Sequence, residues 1–154
     1  MNEPGPRLQI KKRNLPHWTL DGSTYFVTFR TARRRLSQDE QEIVFEHLME
    51  GSRKFYNLAS AVVMLDHVHL LLRPSSDYPL PRIMKGIKGV SSRKINVLRN
   101  SSGQLWQDEY WDRIVRDFEE FEEKVTYIAF NPVKAELVRR IEDYRYWYLN
   151  RDWY

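Results

Sequence analysis

The sequence predicts an α+β fold: a ferredoxin-like antiparallel sheet with helices on one face, followed by a C-terminal helix that bears a tyrosine. Short segments with strand periodicity alternate with longer helical segments, in the order strand, helix, strand, strand, helix, strand, helix. Capping signatures mark two of the helix starts, at Ser37 and Asp117. We therefore expect one domain over residues 22–143, between an irregular basic arm (1–21) and an aromatic, basic tail (144–154).

The first half of the chain contains three predicted strands and one helix. Aromatic and β-branched residues make 25–30 the first strand. The helix starts at Ser37, where a serine with glutamate three residues later forms a capping box. The apolar segment 58–65, a turn at Asp66 and the segment 67–73 then predict a β-hairpin.

A second helix and a fourth strand follow the hairpin. Prolines precede the helix over 82–98, whose apolar residues fall on one face. The aromatic-rich segment 105–115 predicts a strand, with Trp106, Tyr110 and Trp111 as packing residues.

The third helix starts at the cap Asp117 and runs through Phe130. We expect it to end at Asn131-Pro132, because proline disfavours helical geometry in the residue before it. Proline can open a new helix, so a short one is expected over 133–140.

Composition excludes several kinds of chemistry. The 154 residues include no cysteine, which removes disulfides, zinc–thiolate sites and thiol nucleophiles. No long apolar run predicts a secretion signal or a membrane span, so we expect a soluble cytoplasmic protein. Lysine and arginine outnumber the acidic residues by 25 − 21 = 4, which favours a polyanionic partner.

His67 and His69 are the first candidate site residues. Alternate residues of a strand point to the same face, so both imidazoles leave on one side while Val68, Leu70 and Leu72 enter a core on the other. Their α-carbons would lie about 6.6 Å apart, from which two ring nitrogens can converge on a divalent metal ion. Taken alone, the pattern also fits two histidines on a half-buried strand without a metal.

Tyr127 and Asn131 are four residues apart, and therefore neighbours on one helical face. Tyrosine can act as a covalent nucleophile, although its phenol is weak at neutral pH without a metal or a base. Two histidines and an amide oxygen form a reasonable open site for Mg²⁺ or Mn²⁺. The alternatives are a packing aromatic at Tyr127 and an N-cap at Asn131.

Basic residues cluster at strand ends and on one face of the second helix. Either position suits phosphate contacts, and either also fits a solvated surface. The predicted DNA-binding residues are Arg30, Arg33, Arg34, Arg82, Lys85, Lys88, Arg93, Arg113 and Arg116.

Seven motifs span nearly the whole chain: residues 14–18 (NLPHW), 25–30 (YFVTFR), 64–74 (MLDHVHLLLRP), 106–110 (WQDEY), 112–117 (DRIVRD), 127–128 (YI) and 131–135 (NPVKA). Together and in this order they closely resemble the REP-associated tyrosine transposases of the single-tyrosine HUH superfamily. Two positions depart from the family pattern. Leu65-Asp66 stands where Pro-Asn is usual before the first histidine, and Glu136 replaces the glycine usual after Asn-Pro-Val-Lys-Ala.

The resemblance implies roles for the candidate residues. His67 and His69 would be metal ligands, Asn131 the third ligand and Tyr127 the nucleophile. The implied activity is Mg²⁺- or Mn²⁺-dependent cleavage and rejoining of single-stranded DNA at hairpin-forming palindromic repeats, through a 5′-phosphotyrosine.

Two further expectations remain. The short connection before the third helix predicts a monomer that cleaves in cis. The alternative function is a domesticated, non-catalytic nucleic-acid-binding module of RNA-recognition (RRM-like) architecture, in which Tyr25 and Phe29 would stack on bases.

Overall fold

The computed structural model describes residues 22–153, so the predicted arm lies outside the described residues. A five-stranded antiparallel sheet has the order β4-β1-β3-β2-β5. The strands are β1 (Thr24–Arg30), β2 (Tyr56–Val63), β3 (His67–Pro74), β4 (Trp111–Val115) and β5 (Trp147–Leu149). The helices are α1 (Gln38–Gly51), α2 (Leu80–Arg99) and α3 (Phe118–Lys134), with 3₁₀ turns at Ile141–Asp143 and Arg151–Trp153.

The sheet carries a core on each face. Val68, Leu70 and Leu72 of β3 point into the α1/α2 core, together with Val44 and Met84 from those helices. On the opposite face, the α3 core joins Leu71 of β3 to a stripe of α3 made of Phe121, Val125 and Ile128. The predicted α+β, ferredoxin-like class is therefore confirmed, with α1 and α2 on one face and the tyrosine-bearing helix on the other.

The local signals read from the sequence hold. The Ser37 hydroxyl accepts a hydrogen bond from the Glu40 amide (3.3 Å) and the Glu40 carboxylate accepts one from the Ser37 amide (2.9 Å), which is the predicted capping box. At the start of α3 the Asp117 carboxylate accepts from the Glu120 amide at 2.8 Å. β2 and β3 form the predicted hairpin, with Asp66 in its turn.

The predicted strand over 105–115 is wrong in its first half, since β4 begins at Trp111. Within the described residues, the preceding segment makes only one isolated antiparallel bridge to the exit of β1, between Thr31 and Trp106, and also contacts α2. The Trp106 indole donates to the Ser91 hydroxyl (2.9 Å), and the Lys88 ammonium donates to the Asp108 carbonyl (2.8 Å). Trp106 is buried as expected, beneath α2 and against Phe29 of β1.

The predicted end of the third helix is also wrong. α3 continues through Pro132 to Lys134, and no separate helix forms over 133–140. Proline removes one helical hydrogen bond, which is tolerated here because Pro132 lies in the last turn. Leu137 N–H bonds to Pro132 C=O (2.9 Å) and Glu136 N–H to Val133 C=O (3.0 Å), a Schellman ending.

This ending requires Glu136 to adopt a left-handed backbone conformation, with a φ of 62°, which lowers the stability of the folded protein. Replacing it by glycine should stabilise the protein by about 1 kcal/mol, because glycine lacks the Cβ that clashes in this conformation. The melting temperature should rise by about 2–4 °C. A matched control is Glu123→Gly in the middle of α3, which should lower it by a similar amount. A lower melting temperature for Glu136→Gly would contradict the assignment.

The segment after Tyr144 joins the sheet, although its sequence shows no periodicity. β5 pairs with β2 at the sheet edge, and the Trp153 ring stacks on Phe121 with centroids 5.5 Å apart. No helix among the described residues is both long and apolar enough to cross a membrane.

Candidate active site

His67 and His69 lie side by side on β3, on the face that α3 covers. Their ring centroids are 4.7 Å apart. Because side chains alternate along a strand, both histidines lie on that face, while Val68, Leu70 and Leu72 enter the α1/α2 core. His69 is only 3% exposed and His67 is half-buried.

A neighbouring side chain orients each imidazole through Nδ1. The Asp66 carboxylate lies 2.7 Å from His67 Nδ1, and because a carboxylate only accepts, this nitrogen carries the hydrogen. The Thr28 hydroxyl lies 2.8 Å from His69 Nδ1, across the β1–β3 pairing. In the tautomers that donate from Nδ1, both histidines present the Nε2 lone pair. Asp66, which departs from the family pattern, is thus a positioning residue for His67.

The environment keeps His69 neutral. Burial, and then electrostatic interactions with neighbouring His67, Arg30 and Lys124, lower the pKa of His69 to about 3. Its Nε2 is buried and has no hydrogen-bond partner among the described residues. A neutral imidazole with an unpaired buried nitrogen fits a metal ligand.

Tyr127 is brought against this pair by α3. Its ring centroid lies 5.2 Å from that of His69 and 6.0 Å from that of Phe26. Phe26 in turn stacks on His69 at 5.4 Å. Packing of α3 on the sheet holds the tyrosine in place, yet its side chain remains 47% exposed and accessible to a substrate.

Asn131 follows Tyr127 by one turn on the same helical face and is half-buried. Its side chain hydrogen-bonds to neither histidine nor any other described residue. In the described part of the chain, no cluster of three or more His, Cys, Asp or Glu residues could hold a metal. Asn131 stays the third ligand that the resemblance implies.

Lys124 is a site residue that the sequence reading missed. Its ammonium lies 4.7 Å from the centre of the Phe26 ring, and its charge contributes to the lowered pKa of His69. The signal was its position three residues before Tyr127, on the same side of a helix. Thr28 was missed because strand pairing register cannot be read from a single segment.

The predicted DNA-binding residues divide between two places. Arg30 pairs in register with His67, and Arg113 of β4 pairs with Phe26, so both lie on the site side. Arg116 is exposed just after β4. The α2 residues, Arg82, Lys85, Lys88 and Arg93, lie on the opposite side of the sheet. Arg33 is exposed in the loop after β1.

Two of these arginines have acidic partners. Arg34 makes two hydrogen bonds to the buried Glu40 carboxylate, one of 2.7 Å, and Arg99 adds another at 3.0 Å. Burial would raise the pKa of Glu40, but the hydrogen bonds from Arg34 and Ser37 lower it to about 2. Arg113 pairs with Glu120 at 2.5 Å and stays 59% exposed. Arg34 thus stabilises the start of α1, and this structural role is separate from its predicted contact with DNA.

The RNA-recognition alternative loses its stacking residues. Phe29 is fully buried against Trp106, with ring centroids 4.7 Å apart, and Tyr25 packs on the α1/α2 core. The buried Phe29 ring presents no open face to a base, and the Tyr25 ring is partly covered.

Comparisons with known proteins show which family the chain resembles. The family model described as "Transposase IS200 like" matches residues 21–130. A REP-associated tyrosine transposase of Escherichia coli (strain K12) is 24% identical over 137 residues, covering 86% of this chain and 80% of that protein. The solved structure of a REP-associated tyrosine transposase bound to a REP hairpin has a TM-score of 0.71 at 20% identity, covering 91% and 82% of the two chains, so it supports the fold.

The fold, the site and these matches define a DNA-cleaving enzyme of the transposase class. The chain belongs to the IS200-like transposase family, and its resemblance to REP-associated tyrosine transposases is confirmed.

Proposed function

We propose that this protein is a metal-dependent, single-tyrosine HUH transposase that cleaves and rejoins single-stranded DNA at hairpin-forming repeats in the cytoplasm. One observation carries the proposal: an accessible tyrosine lies against a neutral histidine whose Nε2 has no hydrogen-bond partner among residues 22–153. A purely structural pair would bury the tyrosine and satisfy that nitrogen. Perturbed, desolvated groups of this kind are typical of catalytic sites.

In the proposed reaction the Tyr127 oxygen attacks the scissile phosphorus. The new O–P bond forms as the bond to the 3′-oxygen breaks, which leaves a 5′-phosphotyrosine and a free 3′-hydroxyl. The phenol proton passes to solvent, which the exposed side chain can reach, and the departing 3′-oxygen takes up a proton. Attack of a 3′-hydroxyl on the phosphotyrosine reverses these steps and rejoins the strand. The ammonium of Lys124 lies near enough to this face to attract the phosphate.

His67, His69 and Asn131 would hold the cation, Mg²⁺ or Mn²⁺. When bound, such an ion polarises a non-bridging oxygen of the phosphate that the tyrosine attacks. The protein's own contribution is orientation: Thr28 and Asp66 fix the ring nitrogens that face the site.

The proposed substrate is DNA that combines a hairpin with a single strand. The solved relative is described as bound to a REP hairpin. In this chain the exposed basic residues of α2 suit a duplex backbone, whereas the site lies on the other side of the sheet.

The test is incubation of the full-length protein with an end-labelled hairpin oligonucleotide bearing a single-stranded flank, in Mn²⁺. We expect a species that resists denaturation and is destroyed by protease. Binding without any such species would show a repeat-binding protein that does not cleave.

Tyr127 should act in its own subunit, as a monomer. Only Arg116 and Asp117 separate β4 from α3, and α3 packs on its own sheet with Tyr127 against its own His69. Mixing Tyr127→Phe and His67→Ala chains should therefore restore no cleavage. The control is hairpin binding by each variant alone, which should match the wild type. Activity recovered in the mixture would show that the site is shared between subunits.

A further inference from the structure

Trp111 is an unexplained residue beside the site. The sequence predicted a packing role, but the side chain is 51% exposed and makes no ring contact with another described residue. It is the first residue of β4, which is an edge strand. Indole is large and mostly apolar, so a half-exposed tryptophan at a strand end is typical of a surface that binds another molecule.

Strand pairing places Trp111 on the face of the histidines. Val115 of the same strand is buried in the α3 core, and Trp111, four residues earlier, points to the same side. In register, Trp111 pairs with Thr28, and Thr28 pairs with His69. The indole thus stands two strands from the metal-ligand candidate, with α-carbons about 10 Å apart. Arg113 is the next residue on that face.

A groove on the opposite face ends at the same place. It lies between α2 and the segment 104–110, has a volume of about 380 Å³, and is lined by Lys85, Lys88, Gly89 and Tyr110, among others. A second groove shares Gly89 and Ser92 with it and continues along α2 past Arg93. Tyr110, at one end of this basic groove, immediately precedes Trp111.

The two DNA-binding regions therefore meet at the start of β4. DNA bound along α2 reaches the site face by the shortest route if it crosses the β4 edge between Tyr110 and Trp111. In the proposed substrate, the segment that crosses this edge is the single-stranded flank of the hairpin. Aromatic rings beside basic residues are the usual means of holding single-stranded nucleic acid.

We propose that Trp111 is a stacking platform for one base of the single-stranded segment that joins the hairpin to the scissile phosphate. This rests on the proposed function and specifies how its substrate is positioned. Stacking is tolerant of sequence, so Trp111 fixes the path of the strand and leaves base reading to other residues.

DNA fits this edge better than a second copy of the chain. β4 has only five residues and carries Asp112 and Arg113 exposed, and charges on a short edge strand discourage pairing with another sheet. The exposed cations Arg30, Arg113 and Arg116 instead match a phosphate backbone.

The test compares two ligands with the full-length protein: a hairpin with its single-stranded flank and the same hairpin without it. Trp111→Ala should weaken binding of the flanked hairpin by roughly 5- to 150-fold, the range for loss of one stacked base. Binding of the bare hairpin should not change. Trp111→Phe should retain most of the affinity, and 2-aminopurine placed along the flank should be quenched at one position by the wild type only.

The matched control is Ile114→Ala, on the same strand, equally exposed at 50%, but on the other face of the sheet. It should leave both affinities unchanged. Equal losses for the two ligands, no loss for either, or a change in oligomeric state without an effect on DNA would each overturn the proposal. The assay reads binding, so failure of the wild type to form a tyrosine adduct would count against the proposed cleavage and not against stacking.

Discussion

Replacing Tyr127 by phenylalanine should abolish the covalent protein–DNA species, with a fall in cleavage on the order of 10³-fold or more. Only the attacking oxygen is lost, because the phenylalanine ring can keep the contacts to His69 and Phe26. Affinity for the hairpin should therefore stay within about twofold of the wild type. The measurement is adduct yield on denaturing gels with labelled DNA, alongside a binding titration.

Tyr148→Phe is the matched control for this variant. Tyr148 lies on β5 and packs on the α1/α2 core, on the far side of the sheet from the histidines. It also loses one phenol oxygen, so general effects of the substitution are shared. We expect full adduct formation from it. Undiminished adduct from Tyr127→Phe itself would sink the assignment of the nucleophile.

The second large effect is expected from removing the histidine pair. The His67→Ala/His69→Ala protein should lose metal-dependent cleavage altogether, because two of three proposed ligands are gone. Manganese binding, followed by calorimetry on the protein without DNA, should be lost as well. This readout separates loss of the metal from loss of any other function of the rings.

Stability must be compared in the same experiment, since His69 is buried and bonded to Thr28. His47→Gln is a useful control, because His47 lies in α1, away from the α3 face, and the substitution also removes one imidazole. It should leave manganese binding and cleavage intact. Cleavage by the wild type that persists in a strong chelator would show that the metal has no role.

Much of the site follows from the periodicity of strands and helices and from helix capping, which can be read directly from a sequence. A strand has a period of two, so His67 and His69 had to share a face, and the turn at Asp66 had to precede them. A helix has neighbours at four residues, so Tyr127 and Asn131 had to lie on one side of α3. Capping at Ser37 and Asp117 fixed two helix starts because those bonds form within three residues.

Other features depended on partners distant in the chain. Thr28 and His69 are 41 residues apart in the sequence. Their side chains meet only because β1 and β3 pair in one particular register. Trp106 and Trp111 both lie in the same aromatic-rich segment of the sequence. Trp106 is nevertheless buried beneath α2, whereas Trp111 is exposed at the edge of the sheet.

The sequence by itself therefore determined the order of the elements, the two faces of β3 and the residues that can do chemistry. Only the tertiary structure decided which of those residues meet. α3 crosses to the opposite face of the sheet from α1 and α2, and this crossing brings Tyr127 to His69. The reason is physical: periodicity is set by bonds between near neighbours, whereas the choice of face and register is set by burial of apolar surface contributed by the whole chain.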